Sequence, residues 1–291
     1  MYETFYNLER LPFENTPDPR FFYASEQHRE ALAAMEYTIR QRKGIVLVTG
    51  DIGSGKTTIS RTMLQRCADQ ATLAQVLPGR YTGPSLARHV MRSLGLTAER
   101  GDDHAKLLER LRTFLVEQDH LGKPVVVLVD EAQCLSNNAM ESLRLLSNFD
   151  DGNRRLLQLV LVGQPELRDR LKQTELAALR QRIVLAKQVE PLAIHDMVRY
   201  LAHRLRAASR NPDQVWVSFS GEALQQIHAF TRGIPRLINT VCDNCLLLGY
   251  TRNARRITAD MVRHVLADVM PNFDHEADST SQPKLSLAGN F

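Results

Sequence analysis

The sequence predicts a parallel α/β sheet core followed by a smaller all-helical domain, on three observations. Short apolar runs alternate with amphipathic helical stretches as far as Val189, the pattern of parallel strands joined by crossover helices. From Pro191 onward only helical periodicity remains. A complete glycine-rich loop signature, Gly50 to Thr57, lies between the first strand and the helix after it. The length of 291 residues accommodates two domains.

Residues 1–25 hold Pro12, Pro17 and Pro19 among Phe13, Phe21, Phe22 and Tyr23, which predicts an irregular arm anchored on the core by apolar side chains. Helical spacing runs from Glu26 to Arg42, with Ala31, Ala34, Met35, Thr38 and Ile39 on one face. A buried strand follows at Ile45 to Thr49, then a helix from Lys56 to Ala68. A strand near Leu73 to Leu77 precedes helices near Pro84 to Leu94 and Ala105 to Asp119. The run Val125 to Val129 is a central strand, and Met140 to Phe149 is helical. Leu157 to Val162 is the next strand, Glu166 to Arg182 a helix, and Ile183 to Val189 the last strand. The domains are therefore 1–25 (arm), 26–190 (α/β), 191–270 (helical) and 271–291 (a polar, flexible tail). In the helical domain Met197, Leu201 and Leu205 form one stripe of Ile194 to Ala208. Ser220 caps the next helix with Glu222 in its first turn. Leu237 to Tyr250 and Ala259 to Leu266 follow, the last with Thr258 as cap.

Composition narrows the function. The chain is 43% hydrophobic and 24% charged, ordinary for a globular protein, and its net charge of +4 selects no partner. No apolar run approaches the roughly 20 residues a membrane span needs, and MYETFYNLER is no signal peptide. The cytosol is the expected compartment. Cys242 and Cys245 form a C-x-x-C pair, but no second pair stands at zinc spacing and the stretch reads as buried helix, so the thiols are structural.

Gly50-Asp51-Ile52-Gly53-Ser54-Gly55-Lys56-Thr57 matches G-x-x-x-x-G-K-[ST] in full. Glycines let main-chain N–H groups wrap a phosphate chain, and the helix N-terminus adds positive potential. Lys56 is expected on the β- and γ-phosphates of ATP, Thr57 on Mg2+, and Thr58 beside them as a further nucleotide-binding residue. The strand ending in Asp130-Glu131 delivers two carboxylates to the edge where ligands bind in such sheets. Asp130 is expected to hold Mg2+ and Glu131 to polarise the attacking water, a group that a hydrolase needs. Gln164, after the following strand, is a candidate for the γ-phosphate or the water. Arg180 and Arg182 are candidate arginine fingers for a neighbouring subunit, worth about 10³ to 10⁵ in rate. Arg236, opening a helix of the second domain, is a candidate sensor of the γ-phosphate.

In order and spacing these motifs resemble the AAA+ ATPases, with a P-loop (Walker A), a Walker B strand, a polar sensor and a helical lid. Within them the chain resembles the ExeA (general secretion pathway A) type, related to ATPases of MSHA pilus and exopolysaccharide loci and of the TnsC and TniB type. The resemblance spans about residues 1–268 and rests on MYETFYNLERLPFENTPDPRFFYAS, GDIGSGKTT, VDEAQ with Gln133, LVGQPEL at 161–167 and GIPRLIN at 233–239. It implies a nucleotide between core and lid and ATP-dependent self-assembly into a ring or filament. It also implies a protein partner in secretion, pilus or exopolysaccharide machinery, with recruitment to the inner membrane through that partner. The competing reading is a DNA-binding ATPase of the transposition-regulator kind, with Arg204-Leu205-Arg206 and Arg252 to Arg256 as phosphate contacts. A nucleotide-gated scaffold without turnover is disfavoured by Glu131.

Overall fold

The computed structural model describes residues 1–16, 18–77, 79, 81–97, 103–212 and 214–269; the tail expected over 271–291 lies outside them. The chain divides into an α/β unit, Thr16–Leu192 with Ile234–Arg236, and a helical unit, Met1–Asn15, Ala193–Gly233 and Leu237 onward.

The α/β unit runs α2 (Glu26–Arg40), after the four-residue helix α1 (Tyr2–Phe5) of the other unit, then β1 (Ile45–Gly50) and α3 (Lys56–Cys67). It continues β2 (Thr72–Val76), α4 (Gly83–Ser93), α5 (His104–His120), β3 (Val125–Val129), α6 (Asn137–Leu146) and β4 (Leu157–Gly163). It ends with α7 (Glu166–Leu171), α8 (Ala177–Arg180) and β5 (Ile183–Val189). The five strands are parallel in the order β2-β3-β4-β1-β5. Strand side chains alternate between faces. Val125, Val127, Val129, Leu157, Leu159 and Leu161 enter one core with α4, α5 and α6. Val126, Leu128, Val160, Val162, Val46 and Val48 enter the other with α2 and α3. A sheet covered on both faces explains why its strands read as continuous apolar runs. Side-chain caps set several helix starts, Ser25 on α2, Thr82 on α4, Asp103 on α5 and Ser136 on α6. The last of these corrects the expected helix at 140–149, which begins at Asn137 and stops at Leu146.

One continuous helix over 166–182 was expected, and the structure breaks it. Gln173 is extended (φ −61, ψ 148), and a 3-10 turn, Thr174–Leu176, redirects the chain into α8. The run Lys172 to Glu175 is exposed, so no buried face holds it helical. Leu176 and Leu179 are buried on the new axis. Arg180 therefore ends α8, and Arg182 lies beyond it at the mouth of β5.

The helical unit contains α9 (Ile194–Ala208), β6 (Ser218–Phe219), α10 (Gly221–Thr231), α11 (Pro235–Thr251), β7 (Arg256–Ile257) and α12 (Ala259–Val269). Ser220 caps α10 by accepting from the Ala223 N–H at 3.2 Å. The short parallel pair β6–β7 has too few residues to show a strand period in sequence.

The expectation that the whole arm rests on the α/β core is corrected. Its first fifteen residues pack in the helical unit because their aromatic side chains find partners there. Tyr6 is fully buried and its hydroxyl donates to the carbonyls of Leu246 and Ala254, both at 3.1 Å. Tyr2 donates to Asp243. Arg204, 7% exposed, donates to the carbonyls of Pro12 (2.5 Å) and Glu14 (2.9 Å) and to the Tyr200 hydroxyl (2.9 Å). Tyr200 in turn donates to Asn239, whose amide donates to Asn15. Only the later part of the arm, with Phe21 buried, belongs to the α/β unit. Cys242 and Cys245 lie buried in α11, and Cys67 is buried in α3. Among the described residues no group of three His, Cys, Asp or Glu side chains is arranged to hold a metal by itself.

Candidate active site

The strand order puts β4 between β1 and β3, so the connections after β1 and β3 open a crevice at the carboxyl edge of the sheet. The loop after β1 forms its floor. Gly53 has φ +79, and a Cβ there would stand 2.6 Å from Cβ of Arg236, so only glycine fits both the angle and the space. Gly55 is left-handed (φ +96) and is the N-cap of α3, which turns the first helical N–H groups toward the crevice. The Lys56 ammonium is buried and donates to the carbonyls of Gly50 and Asp51, both at 2.8 Å. Asp51 and Ile52 are exposed on the loop's outer side, and Thr58 is half-buried in the first turn of α3.

From α3 the Thr57 hydroxyl donates to Oδ2 of Asp130 at 3.4 Å, which joins the two expected metal ligands. Oδ1 of Asp130 accepts the Glu131 N–H at 2.9 Å. Glu131 is left-handed, with φ +50, an unfavourable conformation for a residue with a side chain. Its Oε2 accepts from the amides of Gln133 (2.5 Å) and Gln164 (3.3 Å). Gln133 also accepts the Gln164 N–H at 3.1 Å, and its carbonyl accepts from Arg170, which reaches on to Asn137. The acid is thus clamped by two amides that are themselves held.

Burial decides the electrostatics. It holds the Asp130 carboxyl above the usual carboxylate range, with the neighbouring Glu131 charge adding to the rise. The Lys56 ammonium is pushed below its ordinary value by the same desolvation, against the opposing charges of Glu131, Asp130 and Asp51. Desolvation outweighs the opposing charges at both groups, a balance that a bound anion beside Lys56 and a divalent cation beside Asp130 would favour. The donor set fits such a pair. The Ser54 and Thr49 hydroxyls are buried without a hydrogen-bond partner among the described residues. With the glycine cradle, the ammonium and the Thr57–Asp130 pair, they can take Mg·ATP phosphates.

Of the expected residues, Lys56, Thr57, Asp130, Glu131 and Gln164 come together. Arg236 joins them through its main chain, its N–H donating to the Gly53 carbonyl at 3.3 Å. Arg180 and Arg182 do not join the cluster. Exposed Arg180 donates to the Leu171 carbonyl (3.2 Å) and half-buried Arg182 to that of Ser147 (3.4 Å). The proposed phosphate track at 204–206 is corrected, because Arg204 is buried and its guanidinium is committed to the arm. Sequence reasoning misses Gln133 as a partner of Glu131, reading it only within VDEAQ, and does not single out Arg170, which holds the Gln133 carbonyl. The signal was the two-residue spacing of Gln133 from Glu131, though only the fold brings Gln164 to both.

Residues 39–171 match the family model described as an AAA domain. Over 257 residues, 88% of the chain, the sequence is 38% identical to general secretion pathway protein A of Aeromonas hydrophila. The chain spans 46% of that relative's length. Among solved structures it is similar to Cdc6p of Pyrobaculum aerophilum (TM-score 0.66, 18% identity, 89% of this chain and 70% of that one). It is also similar to the Orc2 protein of Aeropyrum pernix in ADPNP–ADP complexes (TM-score 0.63, 12% identity, 89% and 71%). At these identities the structural likeness shows the fold alone. No helix among the described residues is long and apolar enough to cross a membrane.

Proposed function

We propose, from the premise that the chain belongs to the ExeA type of AAA-domain ATPases, that it hydrolyses Mg·ATP to ADP and phosphate and couples this to assembly or remodelling of a partner complex. The observation that carries the reading is the clamped Glu131 carboxylate beside Asp130, Thr57 and Lys56. A protein that only sensed nucleotide would need no acid positioned there.

In this reading Gly50 to Thr58 wrap the phosphates with main-chain N–H groups, and Lys56 adds its positive charge to them. Thr57 and Asp130 hold Mg2+, which neutralises charge developing on the phosphate oxygens. Glu131 accepts a proton from the attacking water at a carboxylate oxygen as the bond from the terminal phosphorus to the bridging oxygen breaks. The Gln133 and Gln164 amides keep that carboxylate aimed. Arg236, already against the loop at Gly53, senses the terminal phosphate. Arg180, the exposed member of its pair, serves a neighbouring protomer's nucleotide better than half-buried Arg182. The partner is proposed as protein machinery of secretion, pilus or polysaccharide export, met from the cytoplasmic side, because the relative is a general secretion pathway protein.

The test is Glu131→Gln in the full chain, with turnover and particle mass measured together. Wild type should hydrolyse ATP. The variant should bind it, turn over at least about 100-fold more slowly and accumulate ATP-loaded assemblies. Unchanged turnover would remove the assigned acid, and a variant that stays monomeric with ATP at high concentration would remove the self-assembly. A DNA-coupled ATPase is the second reading. It is favoured by exposed Arg252, Arg255 and Arg256, with Arg255 stacked 4.6 Å from the ring of exposed Trp216. It requires ATPase activity stimulated by DNA and steeply weakened by salt; no stimulation at low salt eliminates it.

A further inference from the structure

One buried titratable side chain near the site has no part in the chemistry above. His28 lies in the first turn of α2, is 5% exposed, and stands under the phosphate loop rather than in it. Its Nε2 is 3.1 Å from the Ser54 carbonyl oxygen. A carbonyl only accepts, so Nε2 carries the proton. Nδ1 is then the acceptor for the Ser25 hydroxyl, 2.5 Å away. That hydroxyl is itself fixed, because Ser25 is the N-cap of α2 and accepts the His28 N–H. The ring of Phe22 meets the imidazole edge-on at 6.0 Å. Every atom that aims Nε2 at the loop is therefore held.

We infer that His28 is a positioning residue for nucleotide binding, a lock on the peptide plane between Ser54 and Gly55. The inference rests on the ATP-binding reading. The described residues include no cis peptide, and in a trans peptide the C=O and the following N–H point in opposite directions. A hydrogen bond that draws the Ser54 carbonyl toward α2 turns the Gly55 N–H the other way, toward the phosphate side of the loop. Gly55 is left-handed, and a Cβ there would stand 2.9 Å from His28 Nε2. The absence of a side chain at 55 is thus what lets the imidazole approach. Without the lock, the glycine-flanked peptide is free to flip, and a flipped plane presents a carbonyl oxygen to an anion. The lock sets the loop before any phosphate arrives, so the cost of ordering is not taken from binding.

The test compares His28→Gln with His28→Asn and His28→Leu in the full chain. Gln places an amide donor near the position of Nε2; Asn is one methylene too short, and Leu has no donor. Affinity for Mg·ADP is measured by displacement of a fluorescent ribose-labelled ADP, with a thermal melt on each protein. Wild type should bind ADP; if it does not, the ATP reading fails, whatever His28 does. Given binding, His28→Asn and His28→Leu should weaken ADP about ten-fold or more, and His28→Gln should stay within about three-fold of wild type. The Asn variant supplies the comparison should Leu not fold. Equal losses in Gln and Asn, or wild-type affinity in Asn, would overturn the lock and leave the ATP reading intact.

Discussion

Arg204→Met is the sharpest test of how the arm is held. The guanidinium is 7% exposed and satisfies three oxygens, the carbonyls of Pro12 and Glu14 and the hydroxyl of Tyr200. Methionine replaces the apolar stem and fills most of the volume, so the cavity term is small. What is lost is the donor set. Each stranded, buried acceptor costs about 1–3 kcal/mol. Taking about 3 kcal/mol and a urea slope near 2 kcal/mol per molar, the midpoint should fall by about 1.5 M. The assay is built into the chain: its single tryptophan, Trp216, belongs to the helical unit, so fluorescence follows that unit selectively. A midpoint within about 0.3 M of wild type would show that residues 1–15 are not fixed by Arg204, and the reasoning about the arm would be wrong.

Four further outcomes are expected. Gly53→Ala puts a Cβ 2.6 Å from Cβ of Arg236 at φ +79 and should weaken nucleotide binding at least about ten-fold. Gly95→Ala, at φ +80 with nothing within 4 Å, should cost about 1–2 kcal/mol in a melt and leave binding alone. Gln133→Ala removes one amide from Glu131 and one acceptor from the Gln164 N–H; turnover should fall about 10–100-fold with ADP affinity unchanged. The helical unit should be alkali-labile. Burial pushes the Cys245 thiol and the Tyr6 phenol up to about 12, from ordinary values of 9.0 and 10.0. The unfolded chain therefore loses these protons first, and stability present below pH 9 is lost as pH rises toward 12. Trp216-monitored melts at pH 7 and pH 10.5 check the sign.

Much of this molecule was legible in its sequence, for reasons that differ by element. β3 reads with its observed bounds because a parallel strand covered on both faces is uniformly apolar, and β5, an edge strand exposed at alternate positions, because β-branched Ile183, Val184 and Val189 mark its run. The loop from Gly50 to Thr57 was legible because phosphate binding constrains consecutive residues. The helix broken at Gln173 was not, because no proline or glycine marks the break and the deciding force is burial of Leu176 and Leu179. The arm's split was hidden for a similar reason: Tyr2 and Tyr6 look alike as anchors whichever unit receives them. His28 gave no pattern either, because its partner Ser54 is 26 residues away in sequence. Gln133 offered only its two-residue spacing from Glu131; its bond to Gln164, 31 residues on, is made by the fold alone.

The central claim is that the loop and ammonium around Lys56 grip a magnesium-bound nucleotide. Titration calorimetry of Mg·ADP into wild type and into Lys56→Ala tests it most directly. The account predicts saturable one-site binding in wild type and at least about a ten-fold loss in the variant. An absence of affinity in wild type, or affinity undiminished by Lys56→Ala, would contradict it.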